Sequence, residues 1–100
     1  MAELADAFVA LPGGVGTLEE IFEIWTWSQL GLHAKPCGLL NVDGYYKTLI
    51  RFLDETSENG FVSETHREML MAAERGEDLL DAFARYKAPT VTKWVARRDT

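Results

Sequence analysis

The sequence predicts an α/β fold in which a parallel sheet is covered by helices. Three observations predict it. Two short apolar runs, Ala7–Leu11 and Cys37–Val42, each end in glycine-containing turn signals, as strands buried on both faces do. Each is followed by a stretch with helical periodicity. Strand and helix therefore alternate, which is the pattern of parallel strands joined by helical crossovers.

Taken in order, Ala7–Leu11 is stopped by Pro12-Gly13-Gly14. Leu18 to Leu30 reads as a helix, with Thr17 as N-cap, Glu20 at the third helical position to complete a capping box, and Gly31 as the residue just past its end. Cys37–Val42 is the second strand and turns at Asp43-Gly44. The next helix runs from about Tyr45 to Glu58. Its apolar stripe is Tyr46, Leu49, Ile50 and Leu53, and Asn59-Gly60 ends it. Ser63–Glu74 has two readings: a helix capped by Ser63, or a short strand over Met69–Ala73. Asp78–Tyr86 is a helix with Leu79, Leu80, Phe83 and Tyr86 on its apolar face. From Lys87 the chain reads as a basic tail, with Lys93, Arg97 and Arg98 and with Trp94 and Val95 as anchors. Residues 1–86 are thus taken as one domain and 87–100 as the tail.

Composition narrows the function. The formal net charge is −6, and the acidic residues are dispersed, which argues against a nucleic-acid binder with a basic face. Cys37 is the lone cysteine, so no internal disulfide and no cysteine metal site are expected. The first residues carry no basic segment and no long apolar run, and no stretch approaches the ~20 apolar residues of a membrane span. A soluble cytoplasmic protein is expected.

The chemistry concentrates at Pro12-Gly13-Gly14-Val15-Gly16-Thr17. Glycines let a backbone turn tightly and approach a ligand closely. The helix that follows offers unpaired N–H groups and the positive end of its dipole, which suits a phosphate. The segment lacks the lysine of a Walker loop and the last glycine of the dinucleotide fingerprint. The competing structural reading is a tight turn before a well-capped helix. Glu20 lies on a helical line with Ile24 and Trp27, apart from the polar stripe Glu19, Glu23 and Thr26. It presents a carboxylate near the proposed phosphate site, unless its role is only that of Thr17's capping partner. The helix has little polar surface, which predicts burial in the core or a homodimer formed through Leu18–Leu30. His33 and His66 lack metal-ligand spacing, and Cys37 reads as a small core residue.

The segment Ala5–Glu20 resembles the PGGxGTxxE signature of the Lonely guy (LOG) family. Trp27–Gly31, Lys35-Pro36, Leu40–Tyr46 and Gly60–Val62 extend the likeness. The resemblance implies a Rossmann-like fold and hydrolysis of the N-glycosidic bond of adenosine 5′-monophosphate or its N6-modified forms, giving free base and ribose 5-phosphate. It implies that Gly13, Gly14, Gly16 and Thr17 hold the 5′-phosphate, that Glu20 is catalytic, and that the site lies at a dimer interface with no cofactor or metal. Such chemistry builds oxocarbenium character on the sugar, which a carboxylate stabilises. The chain resembles the C-terminal half of a family member: an upstream Arg-Lys pair, whose Arg is catalytic, the first strands and a first glycine-rich loop have no counterpart here. The resemblance also favours the strand over Met69–Ala73. It gives no support to lysine decarboxylation, because Lys35, Lys47, Lys87 and Lys93 suggest no pyridoxal site. The alternatives are a carrier-like nucleotide- or cofactor-binding module without turnover, and an inactive dimerising fragment.

Overall fold

A computed structural model describes residues 2–4 and 6–88. Four strands form one sheet in the order β1 (Ala2–Leu4), β2 (Ala7–Ala10), β3 (Cys37–Leu40) and β4 (Leu70–Ala73). Strands β2, β3 and β4 are parallel, while β1 pairs antiparallel along the free edge of β2. Helix α1 (Val15–Gln29) connects β2 to β3. Helices α2 (Lys47–Glu58) and α3 (Glu64–Glu68) connect β3 to β4, and α4 (Gly76–Arg85) follows. The expected α/β fold with a parallel, helix-flanked sheet is therefore present.

Side-chain alternation along the strands divides the core between the two faces. Ala10, Cys37, Leu39 and Leu70 join Ile21, Ile24 and Trp25 of α1 and Tyr46 and Leu53 in one cluster. Ala7 and Val9 meet Leu79 and Phe83 of α4 in the other. Continuously apolar strands satisfy both faces, which is why β2 and β3 read as unbroken runs. Gly38 is where α4 comes closest. A Cβ there would lie 2.9 Å from Leu79 Cδ1, 3.1 Å from the Met71 carbonyl oxygen and 3.2 Å from Phe83 Cε1. The Met71 carbonyl belongs to the neighbouring strand and cannot step aside. Gly38→Ala is therefore expected to destabilise the fold by about 1–3 kcal/mol, read as a lower urea midpoint at unchanged m-value.

Several boundaries differ from the sequence expectations. Helix α1 begins at Val15, three residues before Leu18. Gly14 is its N-cap, and no side chain caps it. Thr17 is consequently the third helical residue and Glu20 the sixth, so the capping box does not form. The end of α1 is as expected. Gly31 has φ 76°, its N–H reaches the Ser28 carbonyl at 3.0 Å, and the Leu32 N–H reaches that of Trp27 at 2.9 Å, the paired bonds of a Schellman ending. Gly60, with φ 83°, ends α2 in the same way, with Gly60 N–H to Ser57 O and Phe61 N–H to Thr56 O.

Strand β3 stops at Leu40, and Val42–Gly44 forms a 3-10 turn instead of extending it. Ser63–Glu74 holds both of its readings in succession. Ser63 Oγ accepts from the His66 N–H at 3.1 Å and caps α3, and β4 then pairs with β3 from Cys37↔Leu70 onward. Propensity could not separate them because Met and Ala suit a helix in isolation, and the strand exists only through its partner. On α4 the buried positions are Leu79 and Phe83. Leu80 is exposed, and Tyr86 lies just past the last helical residue. The antiparallel β1 was not anticipated. Trp94, Val95 and the basic residues of the tail fall outside the described residues.

Candidate active site

The glycine turn occupies the carboxyl end of β2, the end of a parallel sheet where ligands bind. Its three glycines are not there to provide a left-handed backbone. The glycines with positive φ among the described residues are Gly31, Gly44 and Gly60, not those of the turn. Gly13 is required by space, since a Cβ there would collide with Thr17 Oγ1 and approach Thr17 Cβ to 3.0 Å. Around Gly14 and Gly16 a Cβ would meet nothing within 4 Å. Glycine inside a helix costs about 0.5–1 kcal/mol relative to alanine, and nothing among the described residues requires it at Gly16. The backbone of α1's first turn thus lies bare.

Thr17 is half-buried and Glu20 exposed. With the capping box absent, neither residue is committed to closing the helix end. Gly16, Thr17 and Glu20 are related by i, i+3 and i, i+4 spacing and share a face of α1. At 1.5 Å per residue, Glu20 stands about 6 Å along the axis from Gly16, one turn further into the helix. The expected apolar enclosure of Glu20 is not made within the single chain. Ile24 points into the core at 8% exposure, while Trp27 is 45% exposed.

Two tyrosines that the sequence reading placed in the next helix and in the family-like segment Leu40–Tyr46, without a role in the site, brace the turn from β3's side. Tyr45 Oη donates to the Gly13 carbonyl at 2.5 Å, and Tyr46 Oη donates to the Leu11 carbonyl at 2.5 Å. The rings meet edge to face, with centroids 5.0 Å apart. Asn41 holds the pair in place: its Oδ1 accepts from the Tyr46 N–H at 2.6 Å, and its own N–H donates to the Ala73 carbonyl at 2.8 Å. Burial, and secondarily Tyr45, raise the Tyr46 hydroxyl above the ordinary tyrosine value, with a backbone contact from Gly13 acting the other way. Tyr46 therefore remains a donor at neutral pH.

The remaining candidates have structural roles. Burial pushes the Cys37 thiol up to about 12, and its Sγ lies 3.6 Å from the Met69 carbonyl, which is unsuited to a nucleophile. His33 Nδ1 accepts from the Lys35 N–H at 3.1 Å, so Nε2 carries the proton to the Ile24 carbonyl at 3.0 Å. His66 sits in α3, where its carbonyl accepts from Trp25 Nε1 at 2.8 Å. Among the described residues no three His, Cys, Asp or Glu side chains gather as a metal site, and no helix is long and apolar enough to cross a membrane. A cavity of about 680 Å³ between Asp6, Ala34–Pro36 and α4 lies at the amino ends of β2 and β3, opposite the glycine turn.

The sequence pattern of a family described as "Possible lysine decarboxylase" matches residues 1–83. The chain belongs to this family, that of the LOG enzymes. It is 54% identical over 86 residues to cytokinin riboside 5′-monophosphate phosphoribohydrolase LOG3 of Arabidopsis thaliana, covering 86% of this chain and 40% of that protein. It is 51% identical over 87 residues to LOG7 of the same plant, with 87% and 40% covered. LOGL3 of Oryza sativa subsp. japonica, named a probable enzyme of the same activity, is 52% identical over 86 residues, with 86% and 41% covered. The chain thus spans about two-fifths of the length of these relatives. Lys35, which precedes β3 at the opposite end of the sheet, holds its ammonium 5.5 Å from the centre of the Phe8 ring.

Proposed function

We propose that this chain supplies the phosphate-holding and carboxylate-bearing part of a nucleoside 5′-monophosphate phosphoribohydrolase acting on AMP or its N6-modified, cytokinin-type forms. The observation that carries the reading is the bare backbone at Gly14 and Gly16 beneath an exposed Glu20. The relatives' named activity supplies the substrate class. In this reading the N–H groups of the first turn of α1 and Thr17 Oγ1 receive the 5′-phosphate. Anchoring the phosphate fixes the ribose, so that C1′ faces Glu20. The glycosidic bond breaks with its electron pair leaving on the base nitrogen, and positive charge grows on the ribose. The Glu20 carboxylate stabilises that charge and orients the water that adds to C1′. The added water gives up one proton and the departing base nitrogen gains one, so the products are free base and ribose 5-phosphate.

Gly16→Ala separates ligand space from structural need. The variant is expected to be more stable by about 0.5–1 kcal/mol and to bind AMP at least about tenfold more weakly, because a methyl group intrudes where the phosphate approaches. Calorimetry with AMP and a thermal melt measure both; unchanged AMP affinity sinks the phosphate assignment. Free base is sought by chromatography after incubation with AMP and a cytokinin riboside 5′-monophosphate.

Exposed Trp27, on the side of α1 that carries Glu20, favours a homodimer through the Leu18–Leu30 helix, which would enclose that carboxylate. Sedimentation of the chain and of Trp27→Glu tests this, with a monomeric wild type the adverse result. A second reading is nucleotide binding without turnover. AMP binding without base release would select it.

A further inference from the structure

We propose that Tyr45 is a positioning residue that aims the Gly14 N–H at the bound phosphate. The inference rests on the phosphate assignment above. All peptide bonds among the described residues are trans, and in a trans peptide the C=O and N–H of one unit point in opposite directions. Tyr45 Oη holds the Gly13 carbonyl at 2.5 Å. The N–H of the same peptide unit, that of Gly14, is thereby turned away from the tyrosine. A donor on the carbonyl also polarises the unit and strengthens its N–H as a donor. Gly14 is itself exposed, and a Cβ built on it would meet nothing within 4 Å among the described residues.

The tyrosine is itself held from the sheet. After β3 the chain passes through Asp43 at φ 52° and Gly44 at φ 74°, two consecutive left-handed residues that reverse its course. Tyr46 follows, buried at 3% exposure and fixed at both ends, by Asn41 Oδ1 on its N–H and by the Leu11 carbonyl on its hydroxyl. Tyr45 leans on the Tyr46 ring but is 55% exposed. Its ring contributes little to the core, and its hydroxyl contact is directed at one carbonyl of the turn. The pair divides the work: Tyr46 fastens the turn to the fold, and Tyr45 orients the peptide that faces the anion.

Tyr45→Phe keeps the ring and removes only the hydroxyl. The test combines calorimetric titration with AMP and with adenosine, amide exchange across residues 12–18, and a thermal melt, for wild type and variant. Expected for Tyr45→Phe is about a three- to tenfold weaker affinity for AMP, the loss of one ordinary hydrogen bond. Adenosine affinity and melting temperature remain unchanged, and exchange rises within residues 12–18 alone. Equal weakening of AMP and adenosine, or exchange rising throughout the chain, overturns the positioning role and makes Tyr45 merely structural. Unchanged AMP affinity also overturns it. A wild type that binds no AMP overturns the phosphate reading and, with it, any role in aiming at phosphate, whereas local exchange still reports whether the hydroxyl braces the turn.

Discussion

Glu20→Gln is expected to lower base release from AMP by at least about a hundredfold, the lower range for a positioned acid–base group, while leaving AMP affinity within about threefold. Glutamine matches glutamate in shape and removes the charge. In the proposed function the phosphate anchor lies in the first turn of α1 and Glu20 in the second, so ground-state binding is not expected to depend on the carboxylate. The rate does, because positive charge appears on the ribose only as the glycosidic bond breaks. Glu20 is exposed and forms no cap, so the substitution is expected to change stability by less than about 0.5 kcal/mol. Steady-state kinetics beside calorimetry separate the two effects. Base release that survives the substitution, or affinity and rate falling together, would remove Glu20 from the catalytic role.

Trp25→Ala is expected to have the largest effect on folding, about 3–5 kcal/mol. Domains of this size have total stabilities of about 5–15 kcal/mol, so the variant should be near the limit of folding. Trp25 is 6% exposed within the cluster that joins α1 to β2, β3 and β4. Its Nε1 donates to the His66 carbonyl at 2.8 Å, tying α1 to the end of α3. Trp25→Phe retains most of the packing but leaves that carbonyl without its donor, at an expected cost of about 1–3 kcal/mol. Urea unfolding of both variants ranks them, and a loss under about 1 kcal/mol for the alanine variant contradicts the central place assigned to this side chain.

The two tryptophans of α1 illustrate how far the sequence reaches. The helical stretch was legible from its apolar content, yet the pattern did not distinguish Trp25, which is buried, from Trp27, which is 45% exposed. Ser28 is 3% exposed inside the same core, where its hydroxyl meets Met69 Sδ at 3.7 Å. No polar-versus-apolar reading marks a serine for burial, because the contact comes from a residue 41 positions away. The start of α1 was displaced for a related reason. Thr17 and Glu20 fit a capping box in sequence, but the backbone had already entered the helix at Val15 behind an uncapped Gly14.

The sequence by itself determined the strand–turn–helix order, the family and the position of the glycine turn. These rest on short-range signals: apolar runs long enough for one strand, glycines and prolines that stop them, and a contiguous motif. It also determined both glycine-ended helices, since Gly31 and Gly60 each take the left-handed φ that such an ending needs. The strand at Leu70–Ala73, which propensity left open and the family resemblance favoured, exists only beside β3, and the tertiary structure alone decided the antiparallel β1 along β2's edge. It alone brought Tyr45 and Tyr46 to the carbonyls of Gly13 and Leu11, across 32 and 35 positions of chain. Those contacts depend on how the sheet places the end of β3 beside the end of β2, a long-range arrangement that no local propensity encodes.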